Sequence, residues 1–152
     1  MTIRCEIVSQ DRLVYEGEAD MVIVPGEAGM MGVLPNHAPL LSTLKYGILT
    51  VRHQGQEDYF TVAGGIVEIQ PDIITILADV AENVLEIDVA RAEAAKRRAE
   101  EYIKQGPPPD TDAYLVMEAA LQRSNLRLEA ARRYGRMQTS SLIPGFKPGE
   151  KE

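Results

Sequence analysis

The spacing of apolar residues changes once along this sequence, at Asp88, and that change constrains the fold more than any other feature. Before it, apolar and polar residues alternate, as at Ile3, Cys5 and Ile7, which is typical of strands with one buried face. After it, apolar residues recur at intervals of three and four, the period of an amphipathic helix. The sequence therefore predicts a β domain at residues 1–86 followed by a helical part.

The β domain is made of short runs rich in β-branched residues, such as GILTVRH and DIITILADV. They are separated by clusters of Gly, Pro, Asn and Asp, such as PNHAP, HQGQE and QPD. No helical period falls between these runs, which argues against a sheet built from strand–helix–strand units. Many short strands at this spacing predict an all-β sandwich or barrel.

The first predicted helix begins at Asp88, whose carboxylate can accept hydrogen bonds from free N–H groups of the first turn. The sequence QGPPPD at 105–110 must end it, because consecutive prolines cannot continue a helix. The apolar face of this helix is narrow and made mostly of small side chains: Ala92, Ala95, Ala99 and Tyr102.

A second helix is expected to run to about Arg133. It can be capped by any of three residues: Asp110, Thr111 or Asp112. Its apolar stripe is Met117, Leu121, Ser124, Leu128 and Ala131. The short break favours an antiparallel hairpin over residues 87–134, and we expect 135–152 to form an irregular tail. The predicted fold class is thus α+β, an N-terminal β-sandwich followed by a two-helix hairpin.

Composition limits the classes of function. The net charge of −7 argues against nucleic acid as a partner. No apolar stretch is long enough for a signal peptide or a membrane-spanning helix, so we expect a soluble protein without direct membrane insertion. Residues 1–86 hold 4 Lys/Arg against 13 Asp/Glu, whereas residues 87–152 hold 12 against 10. The two parts are therefore expected to have different partners.

No catalytic or metal-binding constellation is visible. The glycines of PGEAGMMG match neither dinucleotide- nor phosphate-loop spacing and suit turns. His37 and His53 are the only histidines and Cys5 the only cysteine, too few for the usual zinc sites. Enzymatic activity of the chain itself is not expected.

Arginines of the helical part form the most suggestive pattern. Asp88, Arg91 and Arg98 share one helical stripe, and Arg123 and Arg127 are neighbours at i and i+4. If the hairpin closes, the two stripes can converge on an anion such as a polyphosphate. The alternative is a solvated charged face in which Asp88 pairs with Arg91, and spacing alone does not decide between them.

Three longer stretches carry a family resemblance: GVLPNHAPLLSTL, FTVAGGIVEIQPDIITILAD and IDVARAEAAKRRAEE. They resemble the ε subunit of the bacterial F-type ATP synthase, and the chloroplast ε and mitochondrial δ subunits are similar. The resemblance covers residues 2 to about 134. It implies a β-sandwich with two C-terminal helices, as the periodicity also predicts.

The resemblance further implies a non-catalytic rotor subunit of the central stalk, at the cytoplasmic face of the plasma membrane. Its partners would be the γ subunit, the ring of c subunits and, when the helices extend, the catalytic α and β subunits. In that extended state the helices would inhibit ATP hydrolysis. ATP would be a possible regulatory ligand, with no required cofactor and no metal.

The resemblance also suggests site residues. Some family members bind ATP at an I/L-D-x-x-R-A motif, which is similar to Ile87, Asp88, Arg91 and Ala92 here. The assisting positions correspond to Glu82, Arg98, Arg123 and Arg127. Contact with the c ring is expected at Glu27, Met30, Met31 and His37, and Met30 stands where relatives often have an acidic residue. Two rival hypotheses remain at this point, a β-barrel metalloenzyme and a free-standing adaptor with a helical recognition hairpin.

Overall fold

The computed structural model describes residues 1–106 and 111–139, with side chains as far as Gly135. Ten strands precede two helices. The strands are β1 Ile3–Val8, β2 Leu13–Ala19, β3 Met21–Gly26, β4 Gly29–Val33, β5 Leu40–Thr43, β6 Gly47–His53, β7 Gln56–Val62, β8 Gly65–Ile69, β9 Ile73–Ala78 and β10 Ala81–Asn83. The helices are α1 Val89–Lys104 and α2 Thr111–Thr139.

The strands form two five-stranded sheets that pack as a sandwich, which confirms the predicted fold class. One sheet has the order β2-β1-β9-β8-β5 and the other β10-β7-β6-β3-β4. All strand pairs are antiparallel except β1 with β9. The core between the sheets includes Ile3, Cys5, Ile7, Leu49 and Phe60. In β1 and β9 the buried residues alternate, as the period of two predicts, whereas β7 is buried from Tyr59 to Val62 and β5 has no buried residue.

A short 3₁₀ turn, Val84–Glu86, joins the sandwich to the hairpin. The Asn83 side chain accepts a hydrogen bond from the Leu85 N–H at 2.9 Å and begins this turn. The chain is extended at Asp88, whose carboxylate accepts from the Arg91 N–H at 3.1 Å. Asp88 is therefore the predicted N-cap of α1.

The two helices run antiparallel, with small residues at their contact. Ala92 and Ala99 of α1 are buried, as is Ser124 of α2, whose hydroxyl donates to the Ala120 carbonyl at 2.8 Å. Little apolar area is removed from water by side chains of this size. The seam between the helices is correspondingly thin.

The prediction of an irregular tail from Gly135 is wrong over residues 135–139, because α2 continues to Thr139 rather than ending near Arg133. A single glycine costs a helix only about 1 kcal/mol, and no proline occurs between Gly135 and Pro144. Asp110, one candidate cap of α2, and the remainder of the predicted tail lie outside the described residues.

Candidate functional site

A cleft of about 430 Å³ lies between the sandwich and the hairpin. Its sandwich wall consists of Arg12, Thr61, Ala63, Val80, Ala81 and Glu82. Its hairpin wall consists of Arg91, Ala95, Ala120, Arg123, Ser124, Leu126 and Arg127. Four arginines and one glutamate thus face the same space, so the cleft is basic although the whole chain is acidic.

Arg127 is held by Glu82 across the cleft. Its Nε lies 2.8 Å from Oε2 of Glu82 and its Nη2 lies 3.1 Å from Oε1. Both side chains are mostly buried, at 26% and 20% exposure. This fork-to-fork geometry is the strongest form of arginine–carboxylate pairing, and it ties α2 to β10.

Arg91 and Arg123 approach the cleft from opposite helices. Arg91 follows the N-cap of α1 by one turn, and Arg123 lies on α2 one turn before Arg127. In the described part of the chain neither guanidinium has a carboxylate within ion-pair distance. Two uncompensated positive groups therefore face a concave space in which an anion could bind both.

Four other predicted site residues are placed differently from these arginines. Asp88 caps α1, and Ala92 is fully buried. Ile87 packs with Tyr59 and Val84. Arg98 is exposed and lies outside the set of residues that line the cleft. The structure thus brings Glu82, Arg91, Arg123 and Arg127 together, while roles for Ile87, Asp88, Ala92 and Arg98 in ATP binding stay predictions.

Sequence reasoning missed Arg12 as a cleft residue. It lies in the turn before β2, and its Nη2 lies 2.7 Å from Oε2 of Glu86. A single arginine in a polar turn has no spacing that relates it to a helix 79 residues later. Only the packing of the hairpin on this end of the sandwich brings Arg12 to the cleft.

A second contact holds α2 on the sandwich beside the cleft. The rings of Tyr59 and Tyr134 are stacked, with centroids 4.1 Å apart and planes 18° from parallel. The Tyr59 hydroxyl donates to Glu57, and burial together with that bond raises the pKa of Tyr59 to about 12. Ala130 packs fully buried in the same cluster. Tyr134 of α2 therefore stacks on an uncharged tyrosine ring of the sandwich.

The four predicted c-ring residues lie on or after the β3–β4 hairpin. Glu27 accepts a hydrogen bond from the Thr43 hydroxyl, which ties the turn to the end of β5. Met30 is 60% exposed, whereas Met31 points the other way and packs on the core. His37 lies in the loop after β4, with Nδ1 2.7 Å from the Ala38 carbonyl oxygen. Their contact with a c ring stays a prediction.

Cys5 is a core residue, and burial raises the pKa of its thiol to about 12.

Among residues 1–106 and 111–139, no group of three His, Cys, Asp or Glu side chains is placed to hold a metal ion.

Comparison with protein families gives two matches in sequence order. Residues 2–84 match the ATP synthase, Delta/Epsilon chain, beta-sandwich domain. Residues 86–132 match the ATP synthase, Delta/Epsilon chain, long alpha-helix domain. The step from one match to the next coincides with the 3₁₀ turn that separates sandwich and hairpin.

Individual relatives are similar over most of their length. The ATP synthase epsilon chain of Acidithiobacillus ferridurans is 44% identical over 133 residues, covering 88% of this chain and 93% of the relative. The epsilon chain of Bacillus licheniformis is also 44% identical, over 131 residues, covering 86% and 98%.

Two solved structures have a similar fold. A chain of the Euglena gracilis mitochondrial ATP synthase, from a structure of OSCP, F1 and c-ring, aligns with a TM-score of 0.70 and 25% identity, covering 87% of this chain and 82% of that one. A chain of the Tetrahymena thermophila enzyme, from its central stalk and c-ring, gives 0.53 at 13% identity, covering 86% and 97%. Neither described helix is long and apolar enough to cross a membrane.

Proposed function

Because this chain belongs to the ATP synthase delta/epsilon family, we propose that it is a non-catalytic central-stalk subunit joining γ to the ring of c subunits. The resemblance to a chain from a structure that includes F1 and the c-ring supports this role. The subunit would be a peripheral part of the complex, at the cytoplasmic face of the plasma membrane.

The c-ring contact would be the β3–β4 hairpin. Met30 is an exposed apolar side chain at its tip, and Glu27 fastens the tip to Thr43. An exposed methionine is suited to an apolar contact with a partner. The hydrogen bond between Glu27 and Thr43 would keep the turn in place while the contact transmits torque. Met31 would support the turn from inside rather than touch the ring.

The hairpin would sense ATP in its closed state. The observation that supports this most is the convergence of Arg91, Arg123 and Arg127 on one cleft from two different helices. Charges of one sign at such positions repel each other unless an anion lies between them, and planar guanidinium groups match phosphate oxygens well. Together the arginines supply the positive charge that a divalent ion would otherwise provide, so binding would not require Mg²⁺.

A bound nucleotide would stabilise the closed hairpin. The seam between the helices buries mainly alanine and serine, so opening would cost little apolar burial. A ligand that contacts both helices shifts the equilibrium by its difference in affinity for the two states, and moving it from about 1:99 to 99:1 takes roughly 5.5 kcal/mol. The opened second helix would be basic, since residues 113–136 hold five arginines against two glutamates. It would suit an acidic surface of the catalytic subunits.

Calorimetric titration of the isolated protein with ATP tests the sensing role. We expect binding without added Mg²⁺, and weaker binding by about 1.5–3 kcal/mol for Arg91→Ala or Arg123→Ala, the value of a charged hydrogen bond. Arg97→Ala is the matched control, because Arg97 is exposed on α1 and lies outside the cleft lining. Absence of heat at millimolar ATP, or an equal loss of ATP affinity in Arg97→Ala and Arg91→Ala, would mean that the arginines only form a solvated helix face.

Deletion of residues 87–152 tests the inhibitory role. An assembled ATP synthase carrying the shortened chain should hydrolyse ATP faster than one with the full chain, because no helix remains to reach the catalytic subunits. Equal hydrolysis across salt concentrations would remove inhibition from the proposed function while leaving the stalk role intact.

A further inference from the structure

Arg12 is the one arginine of the cleft wall that belongs to the sandwich rather than to the hairpin. We infer that Arg12 is a direct ligand of the nucleotide's phosphates and so fixes the bound nucleotide to the sandwich. The inference rests on the ATP site proposed above and adds a residue outside both helices to it.

The backbone under Arg12 is held firmly. Its carbonyl accepts hydrogen bonds from the Ser9 N–H at 2.9 Å and the Ser9 hydroxyl at 3.3 Å, closing the turn between β1 and β2. The turn that carries Arg12 is therefore fixed to the ends of β1 and β2, and an anion bound to Arg12 would be attached to the sandwich.

The present partner of Arg12 can be exchanged for a ligand. The pair with Glu86 is a single contact of 2.7 Å, and both side chains are about half exposed, at 52% and 53%. Pairs of this kind contribute little net stability, and the single contact leaves further guanidinium N–H groups available to a phosphate. Arg127, in contrast, is held by two contacts to a mostly buried carboxylate.

The position of Arg12 gives the site a property that the hairpin arginines cannot supply. A ligand held by Arg91 and Arg123 alone would close the hairpin on itself but would not dock it. A ligand that also contacts Arg12 joins the hairpin to the sandwich, so its binding energy opposes release of the helices from the β domain.

Titration of the full chain with ATP, with four proteins compared, tests this inference. We expect Arg12→Ala to weaken ATP binding about tenfold, the low end of the range for a charged hydrogen bond, because the Arg12 side chain is half exposed. Arg4→Ala is the matched control, because Arg4 is also half exposed and paired with carboxylates but lies outside the cleft lining; its affinity should stay within about twofold of the wild type. Glu86→Gln frees Arg12 and should leave binding unchanged or tighter.

The outcomes separate the inference from the function on which it rests. Equal weakening by Arg12→Ala and Glu86→Gln would mean that Arg12 acts only through its ion pair, and equal affinity for Arg12→Ala and Arg4→Ala would mean that it does not contact the ligand. Either result overturns the inference while wild-type binding upholds the ATP site. Absence of ATP binding by the wild type would remove both.

Discussion

Glu82 and Arg127, 45 residues apart in the sequence, form a two-point ion pair that fastens the last helix to the edge of the sandwich. Among the described residues, no other ion pair between the sandwich and the hairpin joins two side chains that are so little exposed. The pair therefore places Arg127 in the cleft before any ligand arrives.

Glu82→Ala is expected to loosen the docked second helix by about 1–2 kcal/mol, because it leaves a mostly buried guanidinium without its partner. Hydrogen exchange of the α2 amides in the absence of nucleotide measures this. Glu86→Ala serves as the control, since its exposed pair with Arg12 should contribute little. Equal protection of α2 in both variants would show that the Glu82 pair does not hold the helix.

Tyr134→Ala should also undock α2 from the sandwich, by about 1–2 kcal/mol, through loss of the stacked ring and its buried area. The near-ultraviolet circular dichroism of tyrosine reports the loss, since the chain has no Trp. Tyr114→Ala removes a tyrosine from the same helix but not from the cluster around Tyr59. If both variants behave alike, the stack contributes nothing specific.

Acid should weaken the same contact through Glu57. The hydrogen bond from Tyr59, and to a smaller extent the one from Arg52, holds the pKa of Glu57 below its ordinary value of 4.5. A carboxylate with a lowered folded-state pKa adds stability above its unfolded-state pKa, and that stability is lost as pH falls through the folded-state value. Glu57→Gln should thus flatten part of the loss of Tyr59–Tyr134 stacking below about pH 4.5, measured by circular dichroism. Glu68→Gln, on the other sheet, should leave the profile unchanged.

The two adjacent methionines should separate stability from coupling. Met31→Ser is expected to destabilise the fold by about 1–2 kcal/mol, because Met31 packs on the core. Met30→Ser should leave the melting temperature unchanged, because Met30 is exposed, and should weaken coupling of ATP hydrolysis to proton pumping in the assembled complex. Normal coupling with Met30→Ser would place the ring contact elsewhere.

Much of the fold could be predicted because periodicity states directly which face of an element is buried. The alternation at Ile3, Cys5 and Ile7 and the N-cap at Asp88 are both present in the structure. The burial of Ala130 was not predicted, because α2 has a second contact face toward Tyr59 that one helical stripe does not reveal. The same contact accompanies the unpredicted extension of α2 to Thr139.

The two-part organisation, with its sandwich, its hairpin and its arginines on both helices, is predictable from sequence because it depends on local spacing and capping. Which arginines meet in the cleft depends instead on how the hairpin packs on the sandwich. Packing of α2 on β7 and the 3₁₀ turn brought Arg127 to Glu82 and put Arg12 on the facing wall, and it left Arg98 in solvent. A helical stripe specifies a direction around its own axis, but the partner across a cleft depends on how two separately folded elements approach each other.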